Sequence, residues 1–312
     1  MTRSDIDFIA ELETIVRARL ASPSEESYTA RLAAAGRKRI AQKVGEEGVE
    51  LALAAAAGSQ QETIDEAADL GVDALWLSPI FTSPMRDFGY DVADYRAIAQ
   101  DYGDAAAFKT LVDEAHKRGI RIILDLVVNH TSAWHPWFVQ ANVSADDSFH
   151  DWYVWREDDP GWTQPWSASQ TWHKSRRLPL YYYGLFWSQM PDLNFENPRV
   201  RAEMIAIARR WLARGVDGFR LDASRHIIEA GEEAKAGGSP ETHAWWIEFA
   251  REVRRDFPDA IFIGELRDAG LSARVEVVAP VGPNRKASTL AGLVEKQLNG
   301  HAGVINVDER ML

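Results

Sequence analysis

Apolar residues along this 312-residue chain follow two spacings, and these predict alternating helices and short buried strands. Spacings of three and four recur in residues 105–118 and 200–212, and a glycine follows each of these helical segments. Short, nearly continuous apolar runs are typical of strands that are buried on both faces. They occupy about 73–79, 120–128, 216–222 and 259–265. Because strands that alternate with helices are typical of parallel sheets, we expect these four to lie side by side with helices outside.

Three of the predicted strands end in polar residues. Asn129 and His130 follow the second strand, Asp222 closes the third, and Glu265 closes the fourth. The carboxyl ends of parallel strands line the ligand site in such folds. We therefore expect Asp222 and Glu265 to face each other across one mouth.

Arg220 lies within the third strand, where an unpaired charge would be costly to bury. Asp222 is two residues further on, so it shares a strand face with Arg220 and can pair with it. A structural ion pair at a strand end explains these two residues equally well. If Glu265 faces Asp222, however, the two residues could also form a catalytic pair. A retaining glycosidase requires two carboxylates about 5–5.5 Å apart.

Motifs around these residues resemble the signature regions of the alpha-amylase family, glycoside hydrolase family 13. The resemblance covers about residues 66–268. The matching motifs are Pro79-Ile-Phe-Thr-Ser-Pro-Met-Arg-Asp-Phe-Gly-Tyr-Asp91, Asp125-Leu-Val-Val-Asn-His130, Met190-Pro-Asp-Leu-Asn194, Gly218-Phe-Arg-Leu-Asp222 with His226, and Gly264-Glu265.

This resemblance implies an α/β fold, a partial (β/α)8 TIM barrel, and a retaining glycosidase that acts on alpha-glucosidic bonds of oligosaccharides without a cofactor. It implies Asp222 as nucleophile and Glu265 as acid/base. We expect Arg220 to keep Asp222 ionised, and the more apolar strand end at Glu265 predicts the higher pKa for that residue. The residues it assigns to substrate binding are Asp87, Tyr90, His130, Arg220 and His226. Whether hydrolysis or transfer dominates stays open.

Residues 131–195 are expected to form an inserted small subdomain rich in tryptophan. Eight of the twelve tryptophans of the chain lie there. Aromatic residues at this density can bind sugar, but they more often supply the core of an irregular domain. We expect one or two of them to face sugar and the others to pack.

The sequence departs from the family pattern at both ends of the resemblance. Residues 266–312 contain no Asn-His-Asp motif, which supplies the family's third carboxylate, and Asn306-Val-Asp308 does not match it. The first barrel strand and the calcium-binding loop usual after it also have no counterpart, so calcium at Asn129 is not expected. We expect a recognisable site with impaired turnover. Residues 269–312 form a tail without a recognised family.

Residues 1–65 are predicted to form an all-α segment of a different kind. Ser27-Tyr-Thr-Ala-Arg31 and Lys43-Val-Gly-Glu-Glu-Gly-Val-Glu50 resemble phosphoribosyl-ATP pyrophosphatase, and the likeness extends to about residue 70. That resemblance implies a homodimer and Mg²⁺ held by four carboxylates, and hard oxygen ligands suit this ion. The carboxylates are Glu47, Glu50, Glu66 and Asp69. A solvated acidic helix face explains the same residues.

Composition and net charge narrow the possible partners, location and function of the protein. The net charge of −12 argues against nucleic acid and anionic membranes as partners. The absence of cysteine and of an apolar leader fits a cytoplasmic protein. Three hypotheses remain: a glycosidase acting on an oligosaccharide substrate, a magnesium-dependent phosphoribosyl-ATP pyrophosphohydrolase, and a non-catalytic fusion product.

Overall fold

The computed structural model describes residues 60–70, 72–228, 239–268, 271–276 and 305–307, with side chains for 61–69, 72–228 and 239–264. The chain divides into two compact units, residues 1–73 with 283–312 and residues 74–282. The predicted helices before residue 60 and most of the predicted tail lie outside the described residues. In the first unit the described elements are a helix, α1 (Gln60–Leu70), and a short strand (Ile305–Val307).

The second unit contains ten strands and four α-helices among its described residues. In chain order its strands are β1 (Ala74–Leu77), β2 (Phe81–Thr82), β3 (Asp94–Ile98), β4 (Arg121–Leu126), β5 (Trp155–Arg156), β6 (Trp172–Lys174), β7 (Tyr181–Tyr183), β8 (Gly218–Leu221), β9 (Ile261–Asp268) and β10 (Leu271–Glu276). Its helices are α2 (Ala105–Lys117), α3 (Pro136–Ala141), α4 (Pro198–Leu212) and α5 (Pro240–Asp256). No helix in the described part of the chain is both long and apolar enough to cross a membrane.

Four of these strands form a parallel sheet, as predicted. Within the second unit the order is β10-β9-β8-β4-β1, and the pairs β1–β4, β4–β8 and β8–β9 are all parallel. Strand β10 turns back and pairs antiparallel with β9. The prediction that the four apolar runs lie side by side is therefore confirmed.

Local sequence signals explain where the main helices begin and end. At α2, the Asp104 side chain accepts hydrogen bonds from the Ala106 and Ala107 amides, and Gly119 at φ 73° follows the helix. At α4, Asn197 caps the amide of Arg199, and Gly215 at φ 96° follows the helix. Both helices bury the apolar stripe that the spacing predicts, which places their polar faces outward.

A close approach between β8 and β9 depends on a glycine. A Cβ atom built on Gly218 would lie 2.2 Å from the Ile261 carbonyl oxygen and 2.6 Å from the Ile261 Cβ atom. No side chain fits at those distances, so glycine lets the two strands pack as they do. Asp222 directly follows β8, whereas Glu265 lies within β9, because that strand continues to Asp268 instead of ending at Glu265 as predicted.

The segment between β4 and α4 is built on aromatic contacts. Its three strands form a separate antiparallel sheet in the order β5-β7-β6. The buried side chains of Trp172, Tyr183 and Leu185 form one cluster there, and Trp137 packs on Trp152 with ring centroids 4.6 Å apart. Large exposed rings remain on the same segment, at Trp134, Trp166 and Trp187. That this segment is a separate subdomain stays a prediction.

Candidate active site

The centre of the site is the guanidinium of Arg220, which lies between two carboxylates. The parallel register pairs Asp125 on β4 with Arg220 on β8. Nη1 of Arg220 donates to Asp125 at 3.0 and 2.8 Å and to Oδ1 of Asp222 at 2.6 Å. The three residues are 0, 9 and 7% exposed for Asp125, Arg220 and Asp222. The prediction that buried Arg220 requires an anionic partner and pairs with Asp222 is confirmed, and Asp125 is a second partner.

Aromatic rings surround the same guanidinium. Its central carbon lies 5.0 Å from the Trp76 ring centroid and 5.8 Å from that of Tyr90. At these distances the negative faces of the rings add to the stabilisation of the cation. Arg220 is thus fixed by ion pairs and rings together, and its position fixes that of the Asp222 carboxylate.

Tyr90 joins this cluster through its hydroxyl group, which donates to Oδ2 of Asp125 at 3.1 Å. Burial, and then the charge of Asp125, raise the pKa of the Tyr90 phenol far above its usual value. The phenol is therefore a neutral hydrogen-bond donor across the physiological range. Tyr90 as a whole is only partly buried.

The loop that carries Tyr90 is organised by Asp91, which is fully buried. One Asp91 oxygen accepts from the Ser83 hydroxyl at 2.8 Å and from the Asp87 amide at 3.2 Å, and the other accepts from the Arg86 amide at 3.2 Å. Left-handed backbone at three nearby positions lets the loop close this tightly, at Met85 (φ 55°), Phe88 (φ 50°) and Gly89 (φ 95°). The predicted residues Asp87 and Tyr90 are therefore held in one rigid turn.

Backbone strain also marks the end of β8. Ala223, directly after Asp222, has φ 48°, a conformation that residues other than Gly, Asn, Asp and His rarely adopt. The next turn is closed by the His226 amide, which donates to the Ala223 carbonyl at 2.9 Å. Strain of this kind persists where the surroundings impose it, and it is concentrated at functional sites. Here it turns the chain away immediately after the candidate nucleophile.

His130 and Asn129 tie β4 to the turn after β8. Nδ2 of Asn129 donates to the His226 carbonyl oxygen at 2.5 Å, and Oδ1 of Asn129 lies 2.9 Å from Nδ1 of His130. Nε2 of His130 faces the Tyr90 carbonyl at 3.2 Å. The ring is fully buried, which lowers the pKa of His130 to about 4, so the imidazole is neutral at neutral pH. The predicted hydrogen bond from His130 to a sugar requires Nε2 to leave the Tyr90 carbonyl, and it stays a prediction.

The backbone brings Glu265 to the same end of the sheet as Asp222. Leu221 and Gly264 are register partners on β8 and β9, and Asp222 and Glu265 follow them directly. The side chain of Glu265 lies outside the described residues. The predicted carboxylate separation and the predicted higher pKa of Glu265 therefore remain predictions.

A comparison with protein families agrees with the arrangement of residues at these strand ends. The family model for the catalytic domain of alpha amylase matches residues 61–276. The chain belongs to the alpha-amylase family. A second family model, phosphoribosyl-ATP pyrophosphohydrolase, matches residues 9–77. Both resemblances inferred from the sequence motifs are thereby confirmed.

Individual relatives agree with the family match. Alpha-amylase 3 of Dictyoglomus thermophilum is 44% identical over 207 residues, which are 66% of this chain and 38% of that protein. Oligo-1,6-glucosidase of Parageobacillus thermoglucosidasius is 40% identical over 222 residues, 65% of this chain and 39% of that protein. The crystal structure of Bacillus licheniformis trehalose-6-phosphate hydrolase is similar with a TM-score of 0.61 at 34% identity, over 67% of this chain and 41% of that one.

The chain thus spans about two fifths of the length of these relatives. The catalytic-domain match and the structural similarity imply a partial (β/α)8 barrel, to which the parallel sheet of the second unit corresponds.

The predicted magnesium site cannot be assembled from the described part of this alpha-amylase-family chain. Glu66 and Asp69 lie on α1, whereas Glu47 and Glu50 lie outside the described residues. Among the residues that the structure describes, no group of three or more His, Asp or Glu side chains is placed to hold a metal ion. The four-carboxylate cluster therefore stays a prediction.

Two acidic residues that the candidate set omitted are central to the site. Asp125 interrupts an otherwise apolar run on β4, and Asp91 closes the Tyr90 loop. The first had a signal in the sequence, because an acid within a fully buried strand requires a cation just as Arg220 requires an anion. The second had as its signal only its place at the end of the motif 79–91, since its partners are mainly backbone amides of a turn.

Proposed function

We propose that this chain is a retaining glycosidase acting on alpha-glucosidic oligosaccharides, with Asp222 as nucleophile and Glu265 as acid/base. The observation that carries the proposal is the Asp222 carboxylate at a strand end, held by Arg220 at 2.6 Å beside a strained Ala223 backbone. The names of the relatives, an oligo-1,6-glucosidase and alpha-glucosidases among them, support the substrate class.

In the first step a carboxylate oxygen of Asp222 bonds to the anomeric carbon while the bond from that carbon to the glycosidic oxygen breaks. Glu265 gives its proton to the departing oxygen. In the second step water attacks the anomeric carbon, Glu265 takes a proton from it, and the ester to Asp222 breaks. Arg220 keeps Asp222 ionised for the attack, because a neighbouring cation favours the charged form of a carboxyl.

The other candidate residues would bind the sugar. The Tyr90 ring would stack on a pyranose while its hydroxyl group stays on Asp125. Asp87, His130 and His226 would contact sugar hydroxyl groups. Residues 266–312 lack an Asn-His-Asp motif. Loss of a transition-state contact of that kind costs about 3–4 kcal/mol. We therefore expect turnover to be very weak or absent.

Weak turnover calls for an assay that detects a single chemical event. 5-Fluoro-α-glucosyl fluoride needs no acid to expel fluoride, and it leaves a slowly hydrolysed glycosyl ester on the nucleophile. Mass spectrometry of the intact chain and of its peptides should find one glycosyl group, on Asp222. Hydrolysis of p-nitrophenyl α-glucoside by the wild type and by Asp222→Asn measures the residual turnover.

Matched variants distinguish the nucleophile, Asp222, from the acid/base, Glu265. Asp222→Asn should abolish labelling, whereas Glu265→Gln should still label. Asp217→Asn should label normally, because Asp217 precedes β8 and its carboxylate accepts from the Ile122 amide at 2.7 Å, away from the strand end. A wild-type chain that stays unlabelled under conditions where a known alpha-glucosidase is labelled would refute the covalent mechanism. Turnover at the rates typical of the family, lost in Asp222→Asn, would refute the expected impairment.

A second candidate function rests on the family match over residues 9–77. Under it the chain is a magnesium-dependent phosphoribosyl-ATP pyrophosphohydrolase that uses Glu47, Glu50, Glu66 and Asp69. Release of pyrophosphate from phosphoribosyl-ATP, dependent on Mg²⁺ and lost in Glu47→Gln, would establish it. Neither labelling nor pyrophosphate release would leave the third hypothesis, a non-catalytic fusion product.

A further inference from the structure

A groove of about 430 Å³ lies between α2 and the segment that follows α4. This volume is within the range of small-molecule sites. Three apolar residues of α2 line the groove, Ala105, Phe108 and Val112. Gly215, on its other side, precedes β8, whereas Asp222 follows that strand. The groove therefore reaches the end of the sheet opposite the candidate active site.

Gly215 shapes the groove because it lets the chain after α4 pass close to α2. A Cβ atom at this position would lie 2.8 Å from Cγ1 of Val112 and 3.9 Å from Cε1 of His116. The backbone there has φ 96°, which favours glycine. His116 is itself held by Asp217, since its Nε2 lies 2.8 Å from Oδ2 of that residue. Well-anchored residues thus bound this end of the groove.

The charged groups of the groove differ in their partners. Nζ of Lys109 bonds to both carboxylate oxygens of Asp113, at 2.8 and 2.6 Å. For the guanidinium of Arg214, the described part of the chain supplies neither a carboxylate nor a hydrogen-bond acceptor. Its central carbon lies 4.8 Å from the Trp211 ring centroid. Phe108 packs edge-on against the same indole at 5.4 Å, so the cation lies close to the apolar lining.

Arg214 is half-buried, unlike an ordinary surface arginine. Burial, and then the nearby charge of Arg210, lower the pKa of Arg214 below its usual value. Withdrawing a cation from water is costly unless an anion pairs with it. The contact with one aromatic ring offsets only part of this cost. An anion bound in the groove would supply the missing partner.

We propose that this groove binds a small amphipathic anion, whose carboxylate or phosphate group pairs with Arg214 and whose apolar body lies on Phe108 and Val112. The planar guanidinium matches both kinds of oxyanion through paired hydrogen bonds. The apolar lining favours an organic anion over an inorganic one, because contact with it removes hydrocarbon from water. This site is separate from Asp222 and does not depend on the proposed glycosidase function.

The test is calorimetric titration of the full chain with four probes. Phenyl phosphate and phenylacetate carry both an anionic group and a ring. Inorganic phosphate carries only the charge, and benzyl alcohol carries only the ring with an uncharged group. One or both aryl anions should bind about tenfold more tightly than the other two probes, because each of those fills half of the groove. The tighter of the two aryl anions identifies the preferred oxyanion.

Variants locate the binding site. Arg214→Gln should weaken aryl anion binding about tenfold, since it removes charge-assisted hydrogen bonds. Arg214→Lys keeps the charge without the planar fork and should lose about threefold. Ala213→Trp should also weaken binding, because Ala213 is an exposed residue of the groove lining and the larger side chain would fill the space.

Arg210→Gln is the matched control, because it removes the same charge from an exposed position on α4 outside the lining. It should change the affinity by less than about twofold, since solvent screens exposed charges. Thermal midpoints should show that every variant folds. Aryl anions that bind no better than inorganic phosphate, unchanged binding in Arg214→Gln or Ala213→Trp, or an equal loss in Arg210→Gln would each overturn the proposal. None of these results would alter the labelling expected at Asp222.

Discussion

Asp125 should contribute more to stability than any surface charge of this chain, because it is one of two carboxylates that hold a buried cation. It is fully buried, and it bonds to Arg220 through both oxygens. Removing one partner of a buried ion pair costs about 3–5 kcal/mol. Since Asp222 remains at 2.6 Å from Arg220, we take the lower value of about 3 kcal/mol. The Tyr90 hydroxyl also loses its acceptor, which adds about 1 kcal/mol.

We therefore expect Asp125→Ala to lower the free energy of unfolding by about 4 kcal/mol, a large part of the 5–15 kcal/mol typical of a domain. Asp125→Asn retains an acceptor oxygen and should cost about 2 kcal/mol, nearer to the loss of one charge-assisted hydrogen bond. Urea denaturation at neutral pH, followed by tryptophan fluorescence, measures both values. The dependence of the free energy on urea should not change, since the same surface is exposed on unfolding.

A double-mutant cycle tests the assignment to particular atoms. In a Tyr90→Phe background the cost of Asp125→Ala should fall by about 1 kcal/mol, because the hydroxyl group that depended on Asp125 is already gone. Asp113→Asn is the control, since the Asp113–Lys109 pair is exposed and its loss should leave the midpoint unchanged. A cost below about 1 kcal/mol for Asp125→Ala would show that the pair behaves like a surface ion pair, and the reasoning would be refuted.

Three further predictions follow from other contacts. Gly218→Ala should destabilise the chain by about 3 kcal/mol, because its Cβ would overlap the Ile261 carbonyl oxygen at 2.2 Å; urea denaturation measures this. Burial lowers the pKa of His135 from 6.5 to about 3, so its neutral form stabilises the fold fully above pH 6.5. That contribution should be lost as the pH falls from 6.5 towards 3, by about 2.7 kcal/mol at pH 4.5. Mg²⁺ should raise the melting temperature if Glu66 and Asp69 join the predicted metal cluster.

Each of these three predictions has a control variant. Gly119→Ala meets no atom within 4 Å and carries only the strain of φ 73°, so it should cost less than Gly218→Ala, and equal costs would contradict the steric argument. His135→Asn keeps a cap for the Trp137 amide but cannot titrate, so its stability should depend less on pH than that of the wild type. A stability that depends more strongly on pH in His135→Asn than in the wild type would contradict the assignment of this titration to His135. A magnesium shift that persists in Glu66→Gln/Asp69→Asn would exclude these two ligands.

Much of the fold could be predicted from sequence because it depends on local signals. The apolar runs of β4 and β8, the cap at Asp104 and the left-handed glycines at 119 and 215 act within a few residues. The face shared by Arg220 and Asp222 follows from strand alternation alone. The family motifs placed both in a glycosidase context, and the catalytic-domain match over residues 61–276 confirmed the family.

The predicted insertion at residues 131–195 shows what amino-acid composition alone could not decide. Its tryptophans indicated either a sugar surface or a core, and their number could not separate the two. In the structure the Trp172 ring is buried, whereas the Trp166 ring is exposed beside His226. Which residue packs and which remains accessible depends on loop anchors such as Gln164, whose partners are about twenty positions further along the chain.

By itself, then, the sequence determined that the four apolar runs become strands, where α2 and α4 end, and that a buried Arg220 requires an anion. Only the tertiary structure decided that Asp125 is a second anion, because the pairing depends on the register between β4 and β8, across a separation of 95 residues. The same holds for the need for glycine at 218 and for the exposure of Trp166 beside His226. Periodicity and caps are properties of neighbouring residues, whereas register, close approach and exposure are set by packing between residues distant in sequence.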